Sequence, residues 1–244
     1  MGDGTGATAA ISSGSLLPPC QRQATDTGGT VPVVTERVVT TPVGGARLII
    51  DQARRERGTL ALGHGAGGGL EARDLAALAA ALPGKGITVV RVEQPYRVAG
   101  KKAAPAATTL DRAWRAVMTA IPRNHPLAVG GRSAGARVAC RTAADVGAVA
   151  VVALAFPLHP PGRPDRSRLA ELTGAGVPTL VVQGERDPFG RPGEFPSGPF
   201  ELVAVPHADH GLAVPARYDA QALLAAMVDT VQHWLGNAFA AGRR

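Results

Sequence analysis

Residues 127–140, L-A-V-G-G-R-S-A-G-A-R-V-A-C, leave the backbone few paths. Leu127, Ala128 and Val129 form a short apolar run that predicts the end of a buried strand, and from Ala134 onward the Ala/Arg/Val composition predicts a helix, so Ser133 sits at the join. Gly131 and Gly135 flank that serine at two residues on either side, which lets the chain turn sharply without side chains colliding. The stretch Gly131-Arg132-Ser133-Ala134-Gly135 therefore fits the nucleophile-elbow pattern G-x-S-x-G, a strand, turn and helix that expose a serine hydroxyl. It would also aim the N–H of Ala134, at the positive end of the helix, at an oxyanion beside the serine. In a chain with 31 glycines in 244 residues such a match arises by chance in roughly one chain in ten, and its bland form is an ordinary glycine-rich turn. Support has to come from other parts of the chain.

The length allows one substantial core, with 45% of residues hydrophobic. A net charge of +7 raises the question of an anionic partner. No dense basic run or aromatic-interleaved patch accompanies it, so it predicts a solvated arginine-rich surface and no nucleic acid. The two cysteines, Cys20 and Cys140, lack metal-ligand or redox spacing, which argues against a structural disulfide or a metal. No apolar run approaches the ~18 residues that span a bilayer, and no secretory leader pattern opens the chain, so no membrane and a cytoplasmic location are expected.

Residues 1–30 are rich in Gly, Ser, Thr and Pro and predict a disordered tail ahead of a single domain over 31–244. Residues 36–41 and 46–53 predict an antiparallel hairpin around Pro42-Val43-Gly44-Gly45. Further strands are expected at 59–62, 87–92, 127–129, 148–156, 179–182 and 200–205. Helical spacing lies between them: Leu75, Leu78 and Leu82; Leu110, Trp114, Val117, Met118 and Ile121, with Thr108 as the cap; and a closing helix from about 220 to 237. Alternating strands and helices predict a mainly parallel α/β sheet. Only a short segment, 163–176, separates two of the buried strands, which leaves no room for a lid.

The strand at 59–62 runs into Gly63-His64-Gly65-Ala66-Gly67-Gly68-Gly69. Such a turn could bring the N–H of Ala66 to an oxyanion opposite Ala134. Residues 63–68 also satisfy G-x-G-x-x-G, with Glu93 where a ribose-binding acid would stand, which is the dinucleotide reading. That reading leaves the elbow unexplained. After the next strand the loop with Arg97, Lys101 and Lys102 could meet an anionic substrate, as could His64 and Arg132, although exposed basic loops are more often only solvated.

A carboxylate just past the strand at 179–182 and a histidine past the last strand complete the set. Asp187 is favoured over Glu185, and His210, before Gly211, over His207. Each has a plain alternative, a turn cap or a surface histidine. Together Ser133, Asp187 and His210 stand in the order nucleophile, acid, base, each at the carboxyl end of a predicted strand.

The G-H-G-A-G-G turn, G-G-R-S-A-G-A-R-V-A elbow, F-P-L-H-P-P-G segment, Q-G-E-R-D-P-F-G turn and A-D-H-G-L loop resemble the α/β-hydrolase superfamily. More narrowly, they resemble its small, lidless, dienelactone-hydrolase-like branch, which also holds homologues of a subunit of the NSL histone-acetyltransferase complex. The resemblance covers about residues 31–238. It implies a three-layer α/β-hydrolase fold, mostly parallel with an antiparallel N-terminal hairpin and no lid, with Ser133, Asp187 and His210 as triad and Ala66 and Ala134 as oxyanion donors. The serine departs from the cysteine of true dienelactone hydrolases, so their substrate does not carry over. The expected function is hydrolysis of an ester or similar acyl bond of a small molecule, with no metal or organic cofactor. The alternatives are a non-catalytic binding protein on the same fold and a dinucleotide-binding oxidoreductase built on residues 63–68.

Overall fold

A computed structural model describes residues 33–242; the tail expected over 1–30 lies outside the described residues. The chain opens with a hairpin of β1 (Val33–Thr41) and β2 (Gly44–Gln52), paired antiparallel from Val33 opposite Gln52 to Thr41 opposite Gly44. Its tight end needs Gly44, whose φ of 120° is closed to most side chains, and the Thr41 hydroxyl donates to the Gly44 carbonyl at 2.6 Å. Six strands follow: β3 (Gly58–Gly63), β4 (Ile87–Glu93), β5 (Leu127–Arg132), β6 (Ala150–Leu154), β7 (Thr179–Gly184) and β8 (Glu201–Val205). They form one sheet in the order β1-β2-β4-β3-β5-β6-β7-β8, with β2 antiparallel to β4 and every later pairing parallel. The expected hairpin and parallel sheet are therefore both present.

Strands β3, β6 and β7 are buried at every residue, which is why they read as unbroken apolar runs. Helices cover both faces. On one side α1 (Arg73–Ala81) and α6 (Ala220–Ala241) lay Leu75, Leu78, Val231 and Leu235 over Leu60, Val152 and Leu180. On the other, α3 (Ala107–Thr119) and α4 (Ala134–Thr142) bury Trp114, Met118 and Val138 against Val129 and Val151. Two short helices, α2 (Pro95–Val98) and α5 (Leu169–Thr173), lie in connections. Between β6 and β7 there is only α5, so no lid domain roofs the carboxyl edge of the sheet.

Thr108 does not cap α3. The helix begins at Ala107 after an N-cap Ala106 that makes no side-chain bond, because Ala107 is a strong helix former and extends the first turn back past Thr108. Among the described residues no helix is long and apolar enough to cross a membrane.

Candidate active site

Strand β5 and helix α4 meet at Ser133, whose φ and ψ are 53° and −109°. A non-glycine residue there is strained by about 1–3 kcal/mol and persists only if its surroundings over-determine it. They do: the Ser133 N–H donates to the Leu154 carbonyl at 3.0 Å, anchoring the turn on β6. A Cβ on Gly131 or Gly135 would run into the backbone of Gly63, so the close approach of β3 to the turn requires both glycines. The sharp turn leaves the Ser133 side chain partly exposed at the carboxyl edge, at the start of α4.

Two loops from other strands reach the serine. His210, in the loop after β8, holds Nε2 2.9 Å from Ser133 Oγ and Nδ1 2.8 Å from Asp187 Oδ2. Asp187, past the end of β7, is fully buried, and its charge is satisfied by three donors. These are His210, Gln183 Nε2 at 2.9 Å and the Phe189 N–H at 2.8 Å. With Nδ1–H donating to the carboxylate, Nε2 is left as acceptor for the serine hydroxyl. The Phe189 ring packs 4.2 Å from the His210 ring and limits its rotation. The other candidates of each pair stand apart: Glu185 accepts from the His207 N–H at 2.8 Å, and the His207 ring stacks on Tyr218 at 3.9 Å.

The glycine turn after β3 lies on the opposite side of Ser133. A Cβ on Gly65 would stand 3.6 Å from the Ser133 Cβ, and Ala66 follows, exposed, its carbonyl accepting from the Tyr96 hydroxyl at 2.9 Å. Ala134 is the first residue of α4. Both expected donors therefore lie on segments that border the serine.

His64 departs from its expected role beside a substrate. Its ring is buried, Nε2 accepts the Gln94 N–H at 3.1 Å, and Nδ1, which must then carry the proton, donates to the Gly65 carbonyl at 2.7 Å. Burial pushes its pKa below the ordinary value, so the ring is a neutral clasp between the glycine turn and the end of β4. Arg132 departs likewise: its Nη2 donates to the His210 carbonyl at 2.7 Å and its Nε lies 3.4 Å from Asp74 Oδ2. It is turned into the protein because a buried carboxylate and a carbonyl compete for it.

Arg97 is half-buried on α2 with its Nε enclosed and unpaired, and its charge helps to lower the His64 pKa. Lys101 and Lys102 are exposed, and Lys101 lines a cavity of about 150 Å³ with Gln94, Tyr96 and Thr109. No hydrogen bond or ion pair joins these three to the serine cluster among the described residues. Glu93, the acid of the dinucleotide pattern, accepts from Arg47 Nε at 2.7 Å, and α1 starts only at Arg73, well past the glycines. A larger cavity of about 570 Å³, lined by Arg54, Arg55 and Lys85, opens at the other end of the strands, away from Ser133. Cys140 is buried and its thiol is pushed up to about 12 by burial, so it is inert. Among the described residues no group of three or more His, Cys, Asp or Glu side chains could hold a metal ion.

Sequence patterns did not single out Gln183, Phe189 or Asp74. Gln183 stands at a strand end four residues before Asp187, the one local signal among them.

A family model described as an alpha/beta hydrolase domain matches residues 56–236. No curated protein matches the chain significantly. A lidless α/β serine hydrolase from Xanthomonas campestris superposes with a TM-score of 0.65 at 23% identity, over 82% of this chain and 94% of that one. Dienelactone hydrolase from Anabaena variabilis gives 0.67 at 18%, over 85% and 98%. An α/β serine hydrolase homologue from Coxiella burnetii gives 0.65 at 19%, over 87% and 100%. At these identities the likeness is one of fold.

Proposed function

We propose, from the premise that this chain belongs to the alpha/beta hydrolase domain family, that it is a serine hydrolase acting on an ester or similar acyl bond of a small molecule. The observation that carries this is the hydrogen-bonded row Ser133–His210–Asp187, with spacings of 2.9 and 2.8 Å. The Xanthomonas relative, a serine hydrolase by description, supports it.

In this mechanism His210 Nε2 takes the Ser133 proton as Oγ bonds to the substrate carbonyl carbon, and Asp187 stabilises the imidazolium. The oxyanion accepts from the N–H groups of Ala134 and Ala66. Collapse breaks the bond to the leaving group, which takes the proton from His210, and leaves an acyl-Ser133. Water, deprotonated by His210, then attacks the acyl carbon and releases the acid with Ser133 restored. The chemistry needs no cofactor. Arg97, flanked by Lys101 and Lys102, puts positive charge at this edge and favours a substrate that carries an anionic group.

Incubation with a fluorescent fluorophosphonate tests the reading. Covalent labelling is expected of the native chain and of neither Ser133→Ala nor His210→Ala. A folded native chain that stays unlabelled, or a labelled Ser133→Ala, rejects it. The first of these outcomes favours a binding protein on the same fold.

A further inference from the structure

We propose that Arg132 is a positioning residue that braces the His210 loop against the serine turn, with buried Asp74 as its anchor; this rests on the Ser133–His210–Asp187 reading. Asp74, second residue of α1, is fully buried. Its Oδ1 accepts the Leu75 N–H at 3.0 Å, while Oδ2 has no hydrogen bond and faces Arg132 Nε at 3.4 Å. Burial pushes the Asp74 pKa up and Arg132 opposes that. A buried carboxylate is costly to keep unless an opposite charge is paired with it, and Arg132 supplies that charge.

What it holds is a guanidinium one residue before the nucleophile. The Arg132 fork faces two ways, toward Asp74 through Nε and toward the His210 carbonyl through Nη2 at 2.7 Å. Within the His210 loop Asp209 Oδ1 accepts the N–H groups of Gly211 at 2.7 Å and Ala213 at 3.0 Å. The segment past β7 holds the loop from outside, the Arg186 N–H donating to the Ala208 carbonyl at 2.8 Å, the His207 N–H to Glu185 at 2.8 Å and His210 Nδ1 to Asp187 at 2.8 Å. Those bonds shape the loop and hold it to the end of β7, which β6 separates from β5. Arg132 adds the tie to β5 beside the serine, and so helps to maintain the 2.9 Å from His210 Nε2 to Ser133 Oγ. A lysine could reach one partner as a point charge but cannot span both in a fixed plane.

The test follows the maximal rate and half-saturating concentration of fluorophosphonate labelling, with a urea unfolding midpoint, in Arg132→Met, Arg132→Lys, Asp74→Asn and the Arg132→Met/Asp74→Asn pair. Misplacing the base by about an ångström predicts a maximal rate about 10- to 100-fold lower in Arg132→Met, with the half-saturating concentration nearly unchanged and partial recovery in Arg132→Lys. Arg132→Met also strands the Asp74 charge, so its urea midpoint falls. Adding Asp74→Asn removes that charge and restores the midpoint, while the rate stays low. A native rate in Arg132→Met overturns the proposal, and so does a double variant that regains rate together with stability, which marks a structural role only. Failure of the catalytic reading looks different: the native chain is not labelled, or labelling does not need Ser133, and the positioning role falls with it.

Discussion

Ser133 is held at φ 53° by its neighbours, and the glycines around it are what make room. A methyl group on Gly135 would overlap the Gly63 backbone where β3 passes the turn, so Gly135→Ala is expected to lower stability by about 1–3 kcal/mol in urea unfolding. An unchanged midpoint would mean the turn is looser than drawn. His64 carries a second prediction. Its pKa is lowered by burial, so the unfolded chain binds the proton more readily, and His64 contributes stability that is full above its unfolded value near 6.5 and is lost as pH falls below it. Relative to the native chain, His64→Gln should lose less stability between pH 7.5 and 5.5; parallel curves would dismiss the neutral clasp. Both Gly135 and His64 are prominent in the sequence, but only the glycine's role was legible there. A turn needs local room that spacing reveals, whereas the His64 clasp needs Gln94, which lies just past β4 and 30 residues away.

At the scale of elements, α4 is tied to its neighbours by arginines on its outer face. Arg141 donates to Asp111 of α3 at 2.9 and 2.7 Å and to Glu171 of α5 at 2.7 Å, and Arg137 pairs with Glu171 as well. Burial raises the Glu171 pKa, but the two guanidiniums outweigh it and hold the carboxyl below its usual range. Glu171→Gln should therefore cost about 1–2 kcal/mol in urea unfolding at pH 7, less than a fully buried pair because the groups are partly exposed. The Asp219 side chain caps α6 by accepting from the N–H groups of Gln221 at 3.0 Å and Ala222 at 2.9 Å. Asp219→Ala should cost about 1 kcal/mol, read as a lower melting temperature. These elements were visible as periodic apolar stripes, since burial of one face is a local pattern. The Arg–Asp–Glu ties were not, because charges on a stripe's outer side look alike until a neighbouring helix arrives.

For the whole molecule the decisive fact is that β5 and β7 run parallel two places apart and β8 lies beyond, so the loops after them emerge on one edge. That edge has no lid and carries the half-buried Arg97 with the exposed Lys101 and Lys102, on a chain of net charge +7. An anionic ester should be hydrolysed several-fold more slowly as salt rises from about 0.02 to 0.5 M, while a neutral ester of the same acyl group should hardly respond. Equal salt response of the two esters would remove the case for anion selection. The sequence by itself determined the strand–turn–helix at Ser133 and the mainly parallel sheet, and it favoured Asp187 and His210 over Glu185 and His207, because glycine spacing, apolar runs and chain order are written locally. Only the tertiary structure decided that His64 and Arg132 turn inward and that Asp74 lies buried beside the serine turn. A long polar side chain goes to whichever partner packing brings within reach, and that partner stands 30 residues away for His64 and 78 for the Arg132 contact with His210.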